Sequence, residues 1–346
     1  MASAKPITIV GGGLAGLTLG IGLQQREIPV TVVEVGNYPR HRVCGEFISG
    51  PGQQSLARLG LQESLILAGA VPAQNAAFFT ATRATAPREL PAHALCLSRL
   101  TLDQLLADKF QRLGGKLITG RRWRENEFTE GVVRASGRRL QSQPNGPRWF
   151  GLKIHARKVS LCADLEMHFS SRGYVGLCKI AGGEVNVCGL FQLDHRNPKP
   201  VDAQALLRGR PGSILSRRLA DADLDEASFC ATAGLSLQAG RATAHPEICV
   251  GDAITMIPPL TGNGMSMAFE SAELAMQPLA SWSRGEISWS MAKDIIARAC
   301  DMRFAGRLAW ASRLQPFLLS PGWQNLLLIL TSRSRWFWQT AFGNTR

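Results

Sequence analysis

The sequence predicts an α/β protein: a Rossmann-like domain on a parallel sheet, an inserted antiparallel β-sheet, and helices at the C-terminal end. Three observations predict it. A strand, glycine-rich turn, helix and second strand open the chain within residues 7–34. A second glycine-rich strand-to-helix junction follows at 247–265. Between the two, from about Trp149 to Phe191, the apolar period switches to two, the signature of half-buried strands.

The first unit carries the most specific signal. Ile7-Thr8-Ile9-Val10 is a β-branched strand, and Gly11, Gly13 and Gly16 follow as G-x-G-x-x-G. The first glycine permits a tight turn, the second a close approach by pyrophosphate, and the third close packing of helix on strand. The helix begins near Leu14 and Ala15, so its free N–H groups face the phosphates. Val30-Thr31-Val32-Val33 then ends in Glu34, followed by Val35. An acid at that place is positioned to accept the ribose hydroxyls of an adenosine. Strand, turn, helix, strand and acid in register predict a dinucleotide site.

Residues Thr101 to Leu113 have helical apolar spacing. Phe150 to Ala156, Val159 to Phe169, Tyr174 to Ile180 and Val185 to Leu190 predict about four antiparallel strands, with Ala181-Gly182-Gly183-Glu184 as a turn. Short helices are expected from the polar stretch Asp194–Pro200 to about Phe229. Glu247-Ile248-Cys249-Val250 reads as a strand ending in Gly251-Asp252, and Pro259, Gly262, Asn263 and Gly264 lead into a helix of Met265 to Leu279. The expected division places 1–75, 94–140 and 241–285 in the dinucleotide domain. It places 76–93 and 141–240 in a substrate domain, and 286–346 in a C-terminal helical segment.

Composition narrows the class. A chain of 346 residues, 45% hydrophobic and 19% charged, is globular and buries one large core or two joined ones. The eight cysteines form no C-x-x-C pair and no metal-ligand cluster with the six histidines, so no metal is expected and the thiols are read as reduced. With no leader pattern before the first strand and no apolar run long enough to span a bilayer, a cytoplasmic location is expected. His155, His168 and His195 share no ligand spacing and are read as sheet decoration. The formal charge of +13 does not point to nucleic acid, because the basic residues are scattered and no nucleic-acid motif accompanies them. The asymmetry lies at 303–346. No carboxylate follows Asp301, while Arg303, Arg307, Arg313, Arg333, Arg335 and Arg346 are interleaved with Trp310, Trp323, Trp336 and Trp338. That composition suits a peripheral contact with an anionic membrane, a lid over a bulky apolar ligand, or ordinary helix packing.

With both glycine junctions in hand, the chain resembles FAD-dependent oxidoreductases of the glutathione-reductase-type fold, and within them the aromatic hydroxylase and geranylgeranyl reductase superfamily. The resemblance covers about residues 5–280. It implies that the first motif and Glu34 hold the ADP half of FAD. Gly251-Asp252 matches the family's G-D motif, whose Asp bonds the ribityl chain, and Pro259-Leu260-Thr261-Gly262-Asn263-Gly264 matches its P-x-x-G-x-G loop beside the flavin pyrimidine. Arg99, in Ser98-Arg99-Leu100-Thr101-Leu102-Asp103, matches an Arg that approaches the cofactor. Helix starts and an Arg there would stabilise the negative charge of reduced flavin.

Arg42-Val43-Cys44-Gly45-Glu46-Phe47 resembles a loop that lies over the flavin ring in that superfamily. Cys44 there is either a proton donor, with Arg42 favouring its thiolate and Glu46 opposing it, or a small residue that admits the ring. Glu46 is a candidate general base. Three departures stand out: Ser136 replaces the Asp of the hydroxylases' D-G motif, no W-x-W-x-I-P string of the halogenases occurs, and only Tyr174 survives of the reductases' Y-x-W-x-F-P element. The first leaves the electron donor open between NADH, NADPH and a partner reductase. The second argues against halogenation. The expected activity is a monooxygenase that hydroxylates an aromatic or polyketide-like apolar small molecule through a flavin hydroperoxide. The alternative is a reductase or dehydrogenase acting on C=C bonds of an isoprenoid or other apolar substrate, with Cys44 or Tyr174 handling the proton.

Overall fold

Alternating β-branched strands and buried helices set up the first layer. The computed structural model describes residues 4–138, 149–171, 173–192, 202–235, 237–256, 262–318, 320–334 and 338–339. In chain order it places β1 (Ile7–Val10), α1 (Leu14–Gln24), β2 (Val30–Val33), β3 (Phe47–Ile48), α2 (Gly50–Arg58), α3 (Gln62–Leu67), β4 (Val71–Phe79) and β5 (Arg88–Cys96). Then come α4 (Arg99–Arg112), β6 (Lys116–Ile118), β7 (Val132–Arg134), β8 (Trp149–Arg157), β9 (Leu165–Ser170), β10 (Gly173–Lys179) and β11 (Val185–Gln192). The chain continues through α5 (Ala203–Arg208), α6 (Ile214–Arg218), β12 (Asp223–Leu235), α7 (Gly264–Ser283), α8 (Trp289–Leu318) and α9 (Pro321–Arg333).

The first sheet is parallel, in the order β6-β2-β1-β7. Ile7 and Ile9 on β1 and Val32 on β2 are wholly buried, as a strand covered on both faces requires. α1 is buried from Leu14 to Leu23 and packs against α7 and α4. Its Leu17, Leu19, Ile21 and Leu23 are inaccessible, each worth about 1.5–3 kcal/mol on burial. The segment expected as a strand at 247–250 makes a single parallel bridge, Cys249 to Arg134, beside β7.

The second sheet is larger than the four strands expected. It runs β12-β8-β11-β10-β9-β4-β5-β3 and is antiparallel except where β4 meets β9. Two local readings are corrected. The strand expected from Val159 begins only at Leu165, because Asp164 accepts the Gln74 and Asn75 N–H groups and Cys162 N–H donates to Glu166, holding 159–164 in a loop. The end of the stretch expected as helix is β12, a bulged edge strand that leaves Ala227 and Ala231 unburied and so lacks the buried alternation of an inner strand. Gly264–Ser283 and Arg99–Arg112 confirm the helices expected from 265 and 101 within a turn.

Candidate active site

Two helix N-termini open on one cavity of about 1240 Å³. At the first, Gly11 sits at φ 112°, and a Cβ there would lie 2.3 Å from the Ala135 carbonyl oxygen. A Cβ on Gly16 would lie 1.9 Å from the Gly11 oxygen, so the helix rests directly on the turn. Gly13, the N-cap, faces open space, and no side chain caps it and no acid stands in the first turn. α7 repeats the arrangement. Asn263 is its N-cap without a side-chain capping bond, Gly264 faces open space, and Gly262, Gly264 and Met265 line the cavity. Uncapped N–H groups beside a cavity make an anion site. Asp252 opens into the same space, where burial raises its carboxyl pKa against the opposing pull of Arg99 and Arg138. Pro259 lies outside the described residues.

Glu34 ends β2 at the cavity wall, with Val35 exposed beside it. Its Oε2 accepts Gly12 N–H at 2.7 Å, its Oε1 accepts Gly36 N–H at 2.9 Å, and Arg40 pairs with Oε1 at 2.6 Å. Burial pushes its pKa up, but the Gly36 N–H and Arg40 outweigh it and hold it below the ordinary value. The carboxylate is therefore ionised at the nucleoside end. Tyr38 donates to the Gly12 carbonyl and fixes the turn from the other side.

The loop 44–46 is clamped from every direction. Cys178 Sγ donates to Gly45 O at 3.2 Å, and Asn186 Nδ2 donates to Cys44 O at 3.0 Å. Glu46 stands at φ 57°, a left-handed conformation a side chain seldom adopts without external restraint. The restraint is its own carboxylate. Oε1 accepts Arg99 N–H at 2.9 Å, His155 Nε2 donates to Oε2 at 2.8 Å, and the wholly buried Lys153 ammonium lies 3.6 Å from Oε1 and donates to His41 Nδ1 at 2.9 Å. Glu46 lines the cavity and is held in this network. Both oxygens are engaged and the side chain is inaccessible. His155 is likewise part of this buried network, and His168 is buried against Glu166 at 2.9 Å; neither merely decorates the sheet. His195 lies outside the described residues.

Cys44 faces Arg99, not Arg42, and burial raises its pKa more than Arg99 lowers it. It is a thiol at neutral pH, with Arg99 in the role the sequence suggested for Arg42. Arg99 is tied to Asp103 by two bonds of 2.7 and 2.9 Å, and Arg42 reaches the same carboxylate at 3.2 Å. Burial opposes the Arg99 charge, but Asp103 and Cys44 raise its pKa further. Tyr174, buried on β10, lines the cavity, and burial raises its phenol well above the ordinary value. It is a neutral group there.

Beyond the loop the cavity widens into an apolar chamber against β4, β9, β10 and β11. Phe78, Met167, Phe169 and Leu190 line it. Its far wall comes from the C-terminal helices, through Trp310, Leu314, Phe317, Trp323 and Leu327. Trp338 packs on Phe78 and donates to Glu89 O. Sequence reasoning missed Tyr38, Arg40, Asn186 and the Lys153–His155 pair. The last left a signal: two ionisable residues at i and i+2 in an apolar strand fall on one face and need buried partners.

The parallel sheet, the second sheet and the two uncapped helix starts on one cavity define the FAD-binding fold shared by flavin-dependent halogenases and monooxygenases. The chain is similar in structure to the flavin-dependent brominase Bmp2 (TM-score 0.72, 16% identity, 99% of this chain and 94% of that one). It is equally similar to the p-nitrophenol 4-monooxygenase PnpA from Pseudomonas putida DLL-E4 (TM-score 0.72, 16% identity, 100% of both chains). P. aeruginosa PqsL, solved in complex with 2-aminobenzoylacetate, matches with a TM-score of 0.66 and 17% identity over 99% of this chain and 100% of that one. No protein-family model and no curated protein matches the sequence. The residues present fit FAD: open glycine positions at both helix starts, with an ionised Glu34, Asp252 and Arg99 lining the same cavity.

Proposed function

We propose that this protein is an FAD-dependent monooxygenase that hydroxylates an aromatic or polyketide-like apolar small molecule. One observation carries the reading: a single cavity is lined both by two uncapped helix starts and by apolar and aromatic side chains. Gly13, Leu14 and Ala15 at the first helix start and Gly262, Gly264 and Met265 at the second would hold the phosphates and the ring. Asp252 would hold the ribityl chain. Bound and reduced FAD supplies the oxygen-activating chemistry. The chain's own residues supply a dry, shaped chamber, which is what such a reaction asks of a protein. No lysine lines the cavity among the described residues, and Lys153 is committed to Glu46 and His41, which favours hydroxylation over halogenation.

The alternative, reduction of a C=C bond in an isoprenoid or other apolar substrate, has one observation in its favour. The Cys44 thiol, kept protonated by burial, lines the cavity and could donate a proton. The test is to reduce the flavin anaerobically, mix with oxygen and follow the spectrum. A transient spectrum distinct from reduced and oxidised flavin, with hydroxylated product from electron-rich aromatics, is the expected result. Slow reoxidation with no transient would move the reading to the reductase. Comparing NADH, NADPH and a separate reductase as reductants in the same experiment identifies the donor.

A further inference from the structure

α9 is built inside out. The positions turned to the protein are Gln324, Leu328 and Thr331, and two of the three are polar. Their polar groups are satisfied internally, Gln324 Nε2 donating to Ser170 O at 2.9 Å and Thr331 Oγ1 to Leu327 O at 2.6 Å. Half of the helix's exposed positions are large apolar residues, Trp323 at 49%, Leu326 at 41%, Ile329 at 40% and Leu330 at 37%, beside the polar Asn325, Ser332 and Arg333. Phe317, near the end of α8, is 40% exposed and meets Trp323 edge-on at 5.0 Å between ring centroids. A surface helix of a water-exposed protein has the opposite pattern. Contiguous apolar exposure of this kind marks a contact surface.

The charge carried by the C-terminal segment itself is of one sign. No Asp or Glu follows Asp301 in the sequence. Arg303 and Arg307 are engaged by Glu270. Arg313 and Arg333 remain exposed near the two ends of the patch, and neither forms an ion pair among the described residues. A second copy of this chain would bring like charges together with no carboxylate on the patch to meet them. An anionic lipid surface complements both the stripe and its arginines. No described helix is long and apolar enough to cross a membrane, so the fit is to the interface plane. Four of the five exposed apolar residues, Phe317, Trp323, Leu326 and Leu330, also line the cavity, so the stripe forms its rim and Ile329 alone lies off it.

We propose that α9 and the end of α8 dock on an anionic membrane surface, with Trp323, Leu326, Ile329 and Leu330 at the headgroup–acyl boundary. The rim of the cavity then faces the bilayer, and an apolar substrate enters from lipid. The docking stands on exposure and charge alone; the substrate's entry rests on the function proposed above.

The test is flotation of the full-length protein with phosphatidylcholine vesicles, with and without a third phosphatidylglycerol. The expected result is selective flotation with the anionic vesicles, weakened by salt. The double variant Leu326→Asp/Ile329→Asp should reduce it at least about tenfold. Both positions face solvent, so an unchanged melting curve by circular dichroism shows that the variant is folded. Arg313→Glu/Arg333→Glu should lower binding to the anionic vesicles by a similar order while leaving the apolar stripe intact. Equal flotation of wild type with neutral and anionic vesicles, or equal binding by the Asp variant, would overturn the docking. So would a wild-type dimer in light scattering that the Asp variant makes monomeric, which assigns the face to a second copy. Flavin content and oxygen reactivity are read on the same protein without vesicles, so a failed docking and a failed functional reading are told apart.

Discussion

Glu46→Ala should destabilise the protein far more than an average substitution, although Glu46 touches no solvent. The change removes the acceptor for Arg99 N–H at 2.9 Å and for His155 at 2.8 Å, and leaves the inaccessible Lys153 ammonium without its carboxylate at 3.6 Å. Breaking a buried charge pair from one side costs about 3–5 kcal/mol, most of it from the charge left behind. A 346-residue chain has an unfolding entropy of roughly 0.7 kcal/mol/K at about 2.1 cal/mol/K per residue, so the midpoint should fall by about 4–7 °C. Differential scanning calorimetry of the wild type, Glu46→Ala, Lys153→Met and the double variant measures it. If the stranded ammonium dominates, the double variant recovers about 1–3 kcal/mol relative to the sum of the singles. A Glu46→Ala midpoint within 1 °C of wild type, or strict additivity, would refute the buried network as the restraint on this loop.

Other consequences are as specific. Gly16→Ala puts a methyl 1.9 Å from the Gly11 oxygen, a backbone atom that cannot move cheaply; purified variant should carry a small fraction of the wild-type flavin, and full occupancy would count against the turn as the pyrophosphate cradle. Cys44 should alkylate slowly with iodoacetamide at neutral pH, its rate still climbing above about pH 9 because burial raises its pKa, as followed by mass spectrometry of its peptide. A plateau by pH 7 would instead mean a thiolate. Acid should act in two stages. His168 and His41 have lowered folded pKa values, mainly through burial, so the unfolded chain binds more protons and stability falls as pH drops below about 6.5. Glu34 and Glu166, held below the ordinary carboxylate value, add a second loss below about pH 4.5; a melting midpoint flat from about pH 7 to 5 would contradict the first stage, and one that does not fall further below about pH 4.5 the second.

The nucleotide half of the fold was legible because its signals are local. β1, the Gly11–Gly16 turn, α1 and β2 lie in adjacent sequence, and turn geometry dictates glycine where no other residue fits. The second sheet was only partly legible. β8, β10 and β11 are apolar and almost continuously buried, but β12 is an exposed edge strand and β3 is two residues long. Nothing local marks β4 as the partner of β9, a parallel pairing across almost ninety positions that packing alone decides. Within the site, Arg99 and Asp103 were readable as an i, i+4 pair at a helix start. The partners of Glu46 were hidden, because Lys153 and His155 come from a strand more than a hundred residues away. The same distance hid Arg99 as the charge facing Cys44, since Arg42 is the nearer in sequence.

Both helix starts together should hold one elongated dinucleotide. The direct measurement is to titrate FAD, FMN and riboflavin into the flavin-stripped protein and into Asp252→Ala, following flavin fluorescence. The expected result is one FAD per chain, much weaker binding of FMN and riboflavin because they lack the adenosine that would reach Glu34, and a marked loss of FAD affinity in Asp252→Ala. Equal affinity for all three flavins, or FAD binding unchanged by Asp252→Ala, would contradict it.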